Sequence, residues 1–278
     1  MVSKIYLYAD QTNQRAKEAY ESLQSKYAQQ VVDGIDEADV IVALGGDGTT
    51  LDALRLGLKH GKKVYGMNLG HVGAYQNKFT VEGLMERISH AHKVDLNPLV
   101  VKAVIDEQVV KEYAWNEVYV RSGDNPQQTH IIGVASTLDK PFCVKGDGYL
   151  LSTPMGSYAY NYNAGGLRLH FREKLLASTS IVAGTGVRDI LPARTNVHLT
   201  VQDPIKRSVS LMVDNIRLGQ VKSCDIFQDF SRSVTLLWDP EKINAVDRKG
   251  QLIVSKRSER VKQSLSRLGY YHCQFQRR

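Results

Sequence analysis

Val40-Ile41-Val42-Ala43-Leu44-Gly45-Gly46-Asp47-Gly48-Thr49-Thr50-Leu51 decides how the chain is read. Asp39–Leu44 is a continuous β-branched, apolar run, the pattern of a strand covered on both faces. It stops at two glycines, an aspartate and a third glycine. Leu51, Leu54 and Leu58 then recur at i, i+3 and i+7, so a helix follows directly. Outward from this corner, Lys4–Tyr8 and Lys63–Asn68 read as strands. Gln11–Tyr27 is rich in Ala, Glu, Lys and Gln, as a surface helix is. Val81, Leu84, Met85 and Ile88 mark another amphipathic helix. Strand and helix in alternation imply a parallel sheet with right-handed crossovers.

After Asn97-Pro98 the period changes. Leu99–Ile105 and Gln108–Tyr113 flank Asp106-Glu107 as a hairpin. Short strand patterns follow at Glu117–Val120, His130–Ala135, Phe142–Lys145, Tyr149–Leu151, Asn196–Val201, Ser208–Val213 and Val221–Phe227. The expected fold class is α/β plus β. A parallel α/β domain with the glycine-rich loop covers 1–97, a β-rich domain 98–235, and a tail 236–278. The strand-like run Val234–Trp238 and the tail are free to pack back on the first domain. A chain of 278 residues, 42% hydrophobic and 23% charged, suits one large or two modest globular domains. No apolar run approaches the roughly 18 residues of a membrane helix. The first ten residues carry Lys4 and no long apolar block, so no secretory signal is expected. Cys143, Cys224 and Cys273 lie far apart with no C-x-x-C pair, so neither a disulfide framework nor structural zinc is expected, and a cytoplasmic home is. The net charge of +7 suits a polyanionic substrate. The basic run from Lys249 to Arg278 reads as a solvated helix face. No aromatic-interleaved or zinc-finger pattern accompanies it, so nucleic-acid and membrane partners are not expected.

Four segments carry chemistry. Glycines 45, 46 and 48 let a backbone approach a phosphate closely, and the helix behind them offers free N–H groups and a favourable dipole. Asp47 is costly among such amides unless it serves metal binding or proton abstraction. The plain structural alternative is an N-capping aspartate. The loop lacks the lysine of G-x-x-x-x-G-K-[ST] and the third glycine of G-x-G-x-x-G. Gly66–Gly73 forms a second corner at the carboxyl end of a strand, where open α/β sheets bind ligands. Asn116-Glu117, after Tyr113 and Trp115, can hydrogen-bond a base edge and a ribose diol, or is an ordinary strand edge. Lys145–Gly166 brackets a hydroxyl- and tyrosine-rich stretch with turn pairs. It can stack an adenine and bond its sugar, or is a loop-rich β connection.

Together these segments resemble the NAD kinase family, which makes NADP from NAD. Leu44–Thr49 is similar to its Gly-Gly-Asp-Gly signature, Asn68–Tyr75 to its second glycine loop, Asn116-Glu117 to its Asn-Glu pair, and Asp147–Gly166 to its long Asp-Gly, Thr-Pro, Gly-Ser and Gly-Gly block. The resemblance implies NAD as acceptor, ATP or polyphosphate as donor, Mg2+ or another divalent cation, and a homodimer or homotetramer. It assigns no metal ligand. Asp47 would be the general base toward the adenosine 2′-hydroxyl, with Gly48 beside it; Gly45 and Gly46 would border phosphate and metal. Asn68 would lie in the second loop of the site. Asn116 and Glu117 would hold adenine and ribose, and Lys145 and Asp147 the far end of the dinucleotide. Met155, Tyr158, Ala159, Tyr160, Asn161, Tyr162 and Asn163 would wall the adenine pocket, with Ala177 and Asp214 further matches. Met155, Tyr158 and Asn163 depart from small hydroxyl residues usual in the family, and Leu167-Arg168 follows Gly-Gly. Gly-Gly-Asp-Gly-Thr also occurs in diacylglycerol-type lipid kinases. Two rivals therefore stand: a lipid kinase, and an NAD-binding regulator with reduced catalysis.

Overall fold

In the computed structural model, which describes residues 2–70, 73–123 and 128–249, strand β1 (Ile5–Ala9) pairs in parallel with β2 (Val40–Gly45), and β2 with β3 (Lys63–Asn68). His71 and Val72 of the second glycine loop, and the basic tail from 250 onward, lie outside the described residues. The chain divides into two units. One joins Met1–Asn97 to Phe230–Asp247; the other is built on Pro98–Asp229. Residues 230–235 therefore belong with the α/β unit and not with the β-rich one.

In the first unit every residue of β2 is buried, as its unbroken apolar run requires. Helices α1 (Gln14–Lys26) and α2 (Asp47–His60) supply the crossovers. A two-residue β4 (Asn77–Lys78) lies beside β3. The strand Val234–Trp238 returns from the far end of the chain, parallel to β3, and β5 (His92–Leu96) closes the edge antiparallel to it. Helix α3 (Leu84–His90) starts three residues later than the Val81 periodicity suggests, because Gly83 sits before it at φ +64. The returning segment is clasped by a cluster of the buried Tyr65 with the half-buried Arg87 and Asp239. The Tyr65 hydroxyl donates to both carboxylate oxygens of Asp239, at 2.7 and 2.9 Å, and the Arg87 guanidinium lies 3.4 Å from the same group.

Among the described residues, the second unit holds twelve strands in two antiparallel sheets. They are β6 (Leu99–Ile105), β7 (Gln108–Ala114), β8 (Glu117–Ser122), β9 (Thr129–Ala135), β10 (Phe142–Gly146), β11 (Gly148–Ser152), β12 (Leu175–Ile181), β13 (Arg188–Pro192), β14 (Val197–Val201), β15 (Val209–Val213), β16 (Ile216–Val221) and β17 (Ser223–Gln228). One sheet runs β10-β9-β14-β17-β6-β7, the other β13-β12-β11-β8-β15-β16. A single core takes Leu99, Val101 and Ile226 from the first and Val118, Leu151 and Leu211 from the second. The hairpin around Asp106-Glu107 forms as expected, with both turn residues at positive φ. Strands β5, β12, β13 and β16 have no counterpart in the sequence reading. Cys224 is free and buried, and Cys273 lies outside the described residues.

Tyr65→Phe removes a wholly buried donor to a carboxylate, which costs about 1.5–3 kcal/mol. Its thermal midpoint should fall by several degrees in calorimetry. An unchanged midpoint would mean that the Tyr65–Asp239 clasp does not hold the returning segment.

Candidate active site

The corner that opens α2 is not a capped helix start. Gly46 is the N-cap residue and provides no side-chain cap; Asp47 is the first helical residue. Its carboxylate turns away to a neighbouring loop, where Oδ2 accepts the Ala74 N–H at 3.2 Å and Oδ1 the Tyr75 N–H at 3.0 Å. The capping alternative for Asp47 is thereby excluded. The three glycines do different jobs. A Cβ at Gly45 would sit 2.2 Å from the Thr49 hydroxyl, so Gly45 is a packing requirement. A Cβ at Gly46 or Gly48 would meet nothing within 4 Å, and neither residue takes a positive φ. These two leave open space against an uncapped helix N-terminus, the setting that receives a phosphate.

The second glycine loop is tied to the first. Leu69 N–H donates to the Gly45 carbonyl at 2.8 Å, and the Asn68 side chain accepts the Gly70 N–H at 3.0 Å. Asn68 thus shapes the loop from within. Gln76, which the sequence reading passed over, is buried between the loops. Its Nε2 donates to the Gly45 carbonyl at 3.2 Å and meets the Thr50 hydroxyl at 3.0 Å. Beside Gly48 a cleft of about 680 Å³ opens at the carboxyl end of β1, with Tyr6, Tyr8, Tyr20, Asp10 and Asp52 among its walls. Among the described residues, no group of three or more His, Cys, Asp or Glu is placed to hold a metal ion.

In the β-rich unit three segments distant in sequence meet. Asn116 lies just before β8 and Glu117 begins it, the strand-start position that lets neighbouring residues serve one ligand. Asp214 lies at φ +51 in the turn between β15 and β16. Its carboxylate accepts the backbone N–H groups of Trp115, Asn116 and Glu117 at 3.3, 2.8 and 3.3 Å. Asp214 therefore organises the Asn-Glu pair through its backbone. Thr153 bonds the same stretch from the other side, its N–H to the Asn116 carbonyl and its hydroxyl to the Trp115 carbonyl. A Cβ on Gly156 would fall 2.2 Å from the Asn116 carbonyl oxygen, so only glycine admits this approach. Glu117 is 2% exposed and its Oε2 has no partner. Burial first, then the charge of Asp214, pushes its carboxyl from the ordinary 4.5 up to about 9. Glu117 is consequently protonated at neutral pH.

The remaining block separates into scaffold and surface. Asn161 is wholly buried. Its amide donates to the Ser157 and Leu167 carbonyls and its oxygen accepts the Thr179 hydroxyl, so its side chain is spent inside the scaffold. Ala177 is wholly buried in β12, and Met155 is 8% exposed. Tyr158 and Ala159 are half-buried. The Tyr160 ring packs edge-on against Tyr119 at 5.0 Å. Tyr162, with the Arg168 guanidinium 4.8 Å from its ring, and Asn163 are exposed. Lys145 and Asp147 are exposed at the β10–β11 junction.

These features define a nucleotide-handling protein that carries a phosphate-type glycine loop on an α/β unit, followed by a β-rich unit. Residues 4–93 match the model of the ATP-NAD kinase N-terminal domain. An NAD kinase of Hyphomonas neptunium is 37% identical over 211 residues, covering 74% of this chain and 82% of that one. One from Xylella fastidiosa is 37% identical over 241 residues, covering 83% and 88%. Yeast NADH kinase complexed with NADH superposes with a TM-score of 0.74 at 17% identity, over 86% of this chain and 84% of that one. An Archaeoglobus fulgidus NAD kinase in complex with ATP gives 0.68 at 16%, over 90% and 99%. The chain belongs to the NAD kinase family.

The raised carboxyl of Glu117 has a consequence for stability. The folded chain keeps a proton that the unfolded chain loses above pH 4.5. Stability from this group is complete below 4.5 and declines by up to about 1.4 kcal/mol per pH unit until about 9. Glu117→Gln, which mimics the protonated acid, should flatten the pH dependence of denaturant unfolding between pH 5 and 9. An unchanged slope would mean that Glu117 is ionised in the folded protein.

Proposed function

We propose that the chain transfers the terminal phosphoryl group of ATP to the adenosine 2′-hydroxyl of NAD, giving NADP and ADP. The observation that carries the reading is Asp47: an acid held off its own helix by two amides, beside the open space at Gly46 and Gly48. The 37% identity to bacterial NAD kinases supports the same activity. Asp47 takes the 2′-hydroxyl proton as the oxygen attacks the terminal phosphorus. The bond to the bridging oxygen of ADP breaks. The uncapped N–H groups and the dipole of α2 face the charge that develops there. A divalent cation carried mainly by the donor phosphates would fit this site with no all-protein cage, and Asp47 would be the acid available to hold it. When bound, it neutralises phosphate charge.

Asn116 and Glu117 recognise the adenosine. Glu117, protonated, offers an O–H as well as an acceptor to a ribose hydroxyl. In this reading Met155, Tyr158, Tyr160 and Tyr162 wall the base, and Lys145 with Asp147 borders the far end of the dinucleotide. The donor is a nucleotide in preference to polyphosphate. The cleft beside Gly48 is lined by Tyr6, Tyr8 and Tyr20, which suit a base and have no use toward a polyphosphate. A lipid acceptor has no use for the Asp147–Gly166 block. The resemblance supports a cytoplasmic homodimer or homotetramer that engages no nucleic acid.

Asp47→Asn should lower turnover on the order of 10²–10⁴-fold while NAD affinity stays within about tenfold, because a base and not a main binding contact is lost. Wild-type NADP release from this variant would remove Asp47 from the mechanism. With ATP replaced by polyphosphate at equal phosphate concentration, turnover should be lost; equal rates would take the tyrosine cleft out of the donor site.

A further inference from the structure

The returning segment at the end of the described chain does more than complete a sheet. Trp238 is wholly buried, and its indole N–H donates to the Tyr75 carbonyl at 2.9 Å. Asn77 accepts the Asp239 N–H at 2.8 Å and donates to the Leu237 carbonyl at 3.0 Å. The Lys242 ammonium, in the helical residues 240–249, donates to the Gly73 carbonyl and stands 5.7 Å from the Trp238 ring centroid. Residues 237–242 thus hold both ends of 73–77, the stretch whose Ala74 and Tyr75 amides grip Asp47.

One peptide group is shared. The Gly73 carbonyl and the Ala74 N–H belong to the same planar unit. Lys242 holds its oxygen, and the Asp47 carboxylate holds its N–H. Cation and anion therefore grip opposite ends of one peptide dipole, and both contacts are charge-assisted. A plane that follows glycine turns over at small steric cost, because Gly73 restricts its own ψ less than any other residue would. Turned over, it would present a carbonyl oxygen to the carboxylate in place of the N–H. From this geometry we infer that Lys242 is a positioning residue: it fixes the Gly73–Ala74 peptide with its N–H toward Asp47, and so fixes the orientation of the base. Lys242 acts on Asp47 through that peptide, a role separate from any contact with phosphate.

The inference rests on Asp47 as the base, so the experiment measures both. Full-length wild type, Lys242→Met, Lys242→Gln, Lys242→Arg, Asp47→Asn and the Asp47→Asn/Lys242→Met double variant are compared for kcat, for KM of NAD and of ATP, and for thermal midpoint. Lys242→Met and Lys242→Gln should lower kcat on the order of 10- to 100-fold, leave both KM values within about twofold, and keep the fold. Lys242→Arg, which retains a long cationic donor, should recover most of kcat. In the Asp47→Asn background, Lys242→Met should add little, because its route to the reaction is already cut. Undiminished kcat in Lys242→Met with an inactive Asp47→Asn overturns the inference and leaves Asp47 as the base. A full additional loss in the double variant, or a rise in the KM of ATP, overturns it in favour of direct phosphate contact. A fully active Asp47→Asn overturns the underlying mechanism itself.

Discussion

A carboxylate at the first residue of a helix ordinarily serves that helix. At Asp47 it is drawn into the neighbouring loop by two amides, and the surrounding glycines follow from that arrangement. The two loops must touch: the Leu69 N–H reaches the Gly45 carbonyl, and a Cβ on Gly70 would come within 3.2 Å of the Gly46 Cα. A Cβ on Gly73 would press to 2.7 Å from the Asn68 amide. Glycines 45, 70 and 73 therefore allow chain to meet chain, whereas 46 and 48 keep a space clear. With its own side chains turned elsewhere, the start of α2 is left with N–H groups that an incoming phosphate can satisfy.

The β-rich unit uses the same device. Asp214 gathers three consecutive amides, Thr153 takes the carbonyls behind them, and Gly156 lies against the Asn116 backbone. Asn116 and Glu117 are thus held by groups behind them, and a side chain oriented in advance loses less entropy when it binds. The cost falls on Glu117, enclosed and beside a second carboxylate, and it is met by retention of a proton. A neutral acid there can donate as well as accept without the burial of a second charge beside Asp214.

Much of this was legible in the sequence where a residue pattern has one physical meaning. The apolar run into Gly45-Gly46 allowed little but a covered strand, and β3 and the β6–β7 hairpin fell where alternation and the Asp106-Glu107 turn placed them. The misses have causes. Strand β12, Leu-Leu-Ala-Ser-Thr-Ser-Ile, is buried along six of its seven positions, and its small hydroxyl residues carry no apolar alternation to mark it. Strand β16 is half-exposed and broken by Gly219 at φ +151. The glycine loops and the Asn-Glu pair were visible because their chemistry is local. The fate of the Asn161 side chain, the three amides on Asp214, and the contacts of Gln76, Trp238 and Lys242 depend on partners that no sequence window contains; Trp238 and Tyr75 stand 163 residues apart.

The most direct test concerns the atom that receives phosphate. The full chain is incubated with NAD and Mg-ATP labelled in the terminal phosphate, and the product is examined by phosphorus NMR and by enzymatic reduction with an NADP-specific dehydrogenase. A phosphomonoester on the adenosine 2′-oxygen, formed at a rate that depends on Asp47, is the expected result. Phosphate on any other hydroxyl, or tight NAD binding with no phosphoester formed at saturating Mg-ATP, would contradict it.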